Sequence, residues 1–114
     1  MLPPTDPDPL RNVQSLALHA AIADKLAGDP TLVAVARANL ERFAALGTLH
    51  PHYADGWRRR LDGPRDELLA FLRDPGQESR DFRSASPFAG ILSGRERSLI
   101  LLRVHGLDPT AGRA

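Results

Sequence analysis

The sequence predicts an all-α fold, a compact bundle of five to six helices behind a proline-rich N-terminal arm. Three observations carry that reading. Apolar residues recur at three- and four-residue spacing, as in Leu18, Ile22 and Leu26, and again in Val33, Ala36, Leu40 and Phe43. No stretch shows the β-branched alternation of a strand. Proline and glycine stand at the ends of the periodic runs and not within them.

Residues 1–11 hold Pro3, Pro4, Pro7 and Pro9 beside Asp6 and Asp8. Proline fixes φ and disfavours helix in the residue before it, so this segment reads as a flexible, extended arm. A first helix is predicted from a cap at Asn12 or Ser15 to about Ala27, with Gly28 as its stop. Asp29-Pro30 opens the second: the carboxylate accepts from unpaired backbone N–H groups, and proline loses nothing at the first helical position. Gly47 ends it in a left-handed conformation. Pro51 opens a third helix on which Tyr53, Trp57 and Leu61 align at i, i+4 and i+8. Gly63-Pro64 opens a fourth, with Asp66 and Glu67 where the helix dipole favours negative charge and Leu68, Leu69, Phe71 and Leu72 as its core. Asp74-Pro75 repeats the start signal for a segment whose single large apolar residue is Phe82. Ser93 and Glu96 form a capping box for a last helix carrying Leu99, Ile100, Leu102 and Val104. Residues 12–106 therefore read as one helical domain and 107–114 as a tail.

At 114 residues there is room for one domain. The net charge is +1, which argues against a polycation built to coat DNA or an anionic membrane. The absence of cysteine excludes disulfides, thiolate nucleophiles and cysteine-ligated metals. No apolar run approaches ~18 residues, and the first ten residues lack the basic and apolar regions of a secretory signal. A cytoplasmic protein is the expectation. Of the 15 basic residues only Lys25 is lysine, a bias that fits GC-rich coding.

Motifs for catalysis are missing. There is no G-x-S-x-G elbow and no glycine-rich phosphate loop. His50 and His52 flank Pro51, which points their imidazoles apart, so they read as surface histidines at a helix start; no metal or other cofactor is expected. His19 and His105 are isolated on apolar helices. They are the basis of an enzyme reading that requires a concave pocket around one of them with a carboxylate in reach. Otherwise the chain reads as non-enzymatic.

Binding is the better-supported class. Trp57, Arg58, Phe82, Arg83 and Phe88 are the large side chains least accounted for by the core stripes, and Trp, Arg and Phe are favoured in interfaces. They are the candidate anchors for a protein partner, and a homodimer is a further possibility. The alternative is a DNA-binding regulator. Residues 64–85 have the spacing of a helix-turn-helix, with Gln77, Ser79, Arg80 and Arg83 as base- or phosphate-contacting types, although Asp74, Glu78 and Asp81 oppose DNA. The stretch Ser84–Leu92 has two readings, an ordered loop plugging the core with Phe88, Ile91 and Leu92, or a docking surface.

The order Ser15-Leu16-Ala17-Leu18-His19, His50-Pro51-x-Tyr53-Ala54-x-x-Trp57, Ser86-Pro87-Phe88-Ala89-Gly90-Ile91-Leu92 and Arg95-Glu96-Arg97 resembles a group of small helical proteins of GC-rich bacteria. It covers roughly residues 12–104. Leu99 departs from the group, where an aromatic often follows the Arg-Glu-Arg. The resemblance implies a gene beside a second small gene, in the manner of toxin–antitoxin or defence cassettes. It implies an antitoxin-like subunit that masks a neighbour-encoded protein, and it transfers no functional residue.

Overall fold

The computed structural model describes residues 9–105, and within them the chain is all-α, with six α-helices and no strand. α1 spans Pro9–Gly28. A 3-10 turn, Pro30–Leu32, leads into α2, Val33–Ala45. α3 (Pro51–Asp62), α4 (Arg65–Leu72), α5 (Gln77–Arg83) and α6 (Gly94–Val104) follow.

The start and stop signals act locally. Asp29 Oδ1 accepts from Thr31 N at 3.1 Å, and the Asp-Pro signal makes one 3-10 turn before the α-helix begins. Gly47 (φ 72°) closes α2, with Thr48 N donating to Phe43 O. His50 caps α3, its Nδ1 accepting from His52 N at 3.1 Å. Asp74 Oδ1 accepts from Gly76 N, so the second Asp-Pro forms a turn and α5 starts only at Gln77. Ser93 and Glu96 form the capping box in both directions. One boundary is corrected: α1 begins at Pro9, inside the expected arm. Proline tolerates that place because a first-turn N–H has no helical partner anyway. The rest of the arm, Gly106 and the tail 107–114 lie outside the described residues.

α1 is the hub, packing on α4, α5 and α6, while α2 packs on α3 and α3 on α4. Leu26, Leu40, Trp57 and Leu72 are fully buried at the centre. Trp57 meets Phe71, Phe82 and Phe88 edge to face, with ring centroids 5.8, 5.6 and 5.3 Å away. Edge-to-face contact suits the ring quadrupoles and adds to the area these rings remove from water.

The segment from Ser84 to Leu92 is an ordered loop folded onto that core, with Phe88 and Ile91 buried as plugs. Its carbonyls are held by side chains from three helices. Trp57 Nε1 donates to Ala85 O at 2.9 Å. Asn39 Nδ2 donates to Pro87 O at 3.0 Å and to Ala89 O at 2.8 Å. Lys25 Nζ donates to Ile91 O at 3.0 Å. Gly90 (φ 86°) takes the left-handed position that turns the chain back, with Ile91 N donating to Phe88 O.

Candidate functional site

Four of the five expected anchors lie in the interior. Trp57, Phe82, Phe88 and Arg83 are 0, 5, 2 and 3% exposed, which corrects their assignment to a partner surface. The helical stripes alone leave the core short of volume, and these rings complete it by packing on one another. Arg83 is buried by a different route. Its guanidinium donates to Asp74 O (2.6 Å), Ser79 Oγ (2.8 Å), Asn12 Oδ1 (3.0 Å) and Ser15 Oγ (3.3 Å), tying α5 to α1. Burial lowers its pKa from the usual arginine value. Arg58 is on the surface, with Nε and Nη2 each 2.8 Å from a Glu41 carboxylate oxygen and Nη1 2.8 Å from Asp55. The hydrogen bond to Glu41 raises its pKa further.

The base-reading residues are similarly split. Ser79 is buried and donates to Phe71 O at 2.6 Å, and Arg83 is committed as above. Arg80 is half-buried, and exposed Gln77 is bonded to Asp81. α4 and α5 do have helix-turn-helix spacing. However, α5 has only 7 residues, and it points Ser79, Phe82 and Arg83 into the core. Glu78 and Asp81 stay exposed, so its outward face carries the wrong charge for DNA.

A polar seam runs beside the aromatic cluster. His19, buried on α1, places Nδ1 2.7 Å from Ser15 O and Nε2 2.8 Å from Ser86 Oγ. A carbonyl only accepts, so Nδ1 carries the proton and bare Nε2 accepts from the Ser86 hydroxyl. Burial pushes the imidazole down to about 4, the Ser15 carbonyl opposes that, and the Arg83 charge adds to it. His19 is therefore neutral at pH 7. His19 and Ser86 both line a cavity of ≈ 310 Å³ with Leu18, Ile22, Phe88 and Arg97. The enzyme reading asks for a carboxylate in reach of the histidine; the cavity at His19 offers the Ser86 hydroxyl, and no Asp or Glu is among its described lining residues. No sequence motif joins these two residues, which are 67 positions apart. His105 is instead exposed, 2.8 Å from Gln14 Nε2. Among the described residues no group of three or more His, Asp or Glu side chains could hold a metal ion.

The outer face of α6 is the other distinctive feature. This helix, GRERSLILLRV, contributes no fully buried residue. Leu99 is 43% exposed, and on α1 Leu10 and Val13 are 49 and 52% exposed. Leu99 and Leu102 share one side of α6 with Arg95, and Leu10, Val13 and Ala17 share one side of α1. The bond between Gln14 and His105 sets the first turns of α1 beside the end of α6. The sequence puts Leu99 and Leu102 on the last helix and leaves their cover open, because periodicity shows that a face is apolar and not what covers it.

No family model, curated protein or solved structure matches this chain.

Proposed function

We propose that this chain is a protein-binding module, an antitoxin-like or regulatory subunit that masks a partner protein by docking α6 and the first turns of α1. One observation carries the reading: α6 bears Leu99, Ile100, Leu101, Leu102 and Val104 and buries none of them fully. Apolar residues left at this density on one helix gain free energy only when a further surface covers them. Arg95 borders the patch, so the partner that fits it is an apolar surface edged by carboxylates, which Arg contacts in bidentate fashion. The DNA-binding alternative has less behind it, since two of its four contact residues are in the core.

The test is affinity capture of the tagged full chain from its host, with nuclease treatment, using the unmodified chain, Leu99→Glu and Leu46→Glu. Leu46 is 69% exposed at the C-cap of α2 and belongs to neither helix of the patch. A stoichiometric protein that survives nuclease, is lost with Leu99→Glu and is kept with Leu46→Glu is the expected result. Retention by Leu99→Glu, or recovery that depends on DNA, overturns the reading.

A further inference from the structure

We propose that Ser86 is a nucleophile and His19 its general base, in a site that hydrolyses esters of short apolar acyl groups. The geometry has the parts that activated serine chemistry needs. The hydroxyl and the base are 2.8 Å apart. The base is oriented through its other nitrogen by the Ser15 carbonyl at 2.7 Å, which fixes the tautomer that accepts the serine proton. Ser86 sits immediately before Pro87 on the clamped loop, and Phe88 N donates to its Oγ at 3.3 Å. The nucleophile is therefore held by three helices through the loop carbonyls and does not ride on a free segment.

The cavity at this pair suits a small apolar acyl group. At ≈ 310 Å³ it is walled by Leu18, Ile22, Phe88 and Leu92, with Arg97 as the one charged residue of its lining among the described residues. Ala89 and Gly90 also line it. Both are exposed, and the developing oxyanion is assigned to their backbone amides.

The reaction balances with water as co-substrate. Ser86 Oγ attacks the ester carbonyl carbon and its proton passes to His19 Nε2. The carbonyl carbon–alkoxy oxygen bond breaks, and the proton goes from Nε2 to the leaving alcohol. Water then attacks the acyl-serine, giving one proton to Nε2. The acyl–Oγ bond breaks, the carboxylic acid leaves and Nε2 returns the proton to Oγ. Among the described residues, Arg83 of α5 acts on the imidazole by its charge and Arg97 of α6 lines the same cavity, and both are cations. Burial first, and the Arg83 charge after it, keep the imidazole unprotonated at neutral pH.

The full chain is tested with p-nitrophenyl butyrate and, separately, with a fluorophosphonate probe followed by intact mass and peptide mapping. One adduct is expected, on Ser86 and on no other serine, together with p-nitrophenol release. Ser86→Ala abolishes both, while Ser84→Ala, an exposed neighbour, leaves both unchanged. His19→Gln slows release ~100-fold, within the range of general-base contributions. In the unmodified chain the rate stays level down to about pH 5 and then falls, following the imidazole at about 4. The proposal is overturned by no adduct on the unmodified, folded chain, by adducts shared among the exposed serines Ser84, Ser93 and Ser98, or by release that Ser86→Ala leaves intact. The mapping uses unmodified protein, so it decides the matter even if a variant fails to fold.

Discussion

Single side chains hold this molecule's least regular part. Asn39 is buried, donates to two loop carbonyls and accepts from Arg42 Nη2 at 2.8 Å. Asn39→Ala leaves buried acceptors unpaired, and a buried unpaired acceptor costs about 1–3 kcal/mol. A fall in unfolding free energy of about 3 kcal/mol is expected, read by urea denaturation. His19 makes a pH prediction. Its ordinary value is 6.5 and its folded value about 4, so between these the unfolded chain binds more protons than the native one. The stabilisation is complete above pH 6.5 and is lost as pH falls toward 4, by ~3 kcal/mol. Denaturation curves at pH 7 and pH 4 should show that loss, reduced in His19→Gln. Glu96 shifts in the same direction for a different reason, because here the charged form is the one favoured. The Lys25 bond lowers it to about 2, so its contribution is present above the ordinary carboxylate range and disappears only as pH falls through about 2. His19 and Ser86 were each visible in the sequence as residues, but their partnership was not. Hydrogen bonds between distant positions leave no periodic trace.

At the scale of elements, the helices were legible because their signals are local: an Asp-Pro start, a glycine stop, a capping box. The six segments appear in the expected order, and the shifts at Pro9 and Gln77 are boundary effects. Which face of each helix is covered was not legible. Counted one helix at a time, the stripes leave Trp57 and Phe82 for the surface, whereas four rings from α3, α4, α5 and the loop share one volume. Gly56 is the price of that arrangement. A Cβ there would lie 2.3 Å from Phe82 Cε1, and the ring is hemmed in by Tyr53, Trp57 and Phe71 at centroid distances of 5.0, 5.6 and 5.6 Å. Gly56→Ala is expected to destabilise by about 2 kcal/mol through overpacking, despite alanine's better helix propensity. Thermal unfolding monitored by circular dichroism checks it.

For the whole molecule, the uneven distribution of burial matters most. α3 and α4 supply much of the fully buried core, whereas α6 supplies none and rests chiefly on α1, anchored through Glu96 to Lys25 at 2.7 Å. Native-state hydrogen exchange should therefore find α6 opening at a lower free energy than α3, as a separate unit. Equal protection of the two helices in the isolated chain would show that α6 is better covered than its exposure indicates. A partner bound on the Leu99 face should raise the protection of α6 selectively.

Trp57 is the only tryptophan in the chain, and its indole N–H is bonded to the backbone of the Ser84–Leu92 loop. The chain thus carries an optical reporter at a place where its helices grip an irregular segment. Indole emission is sensitive to water and to the hydrogen bond on its nitrogen. Undocking of the loop should shift the emission to longer wavelength before the helical signal falls, with no label to add and no second indole to confuse the spectrum.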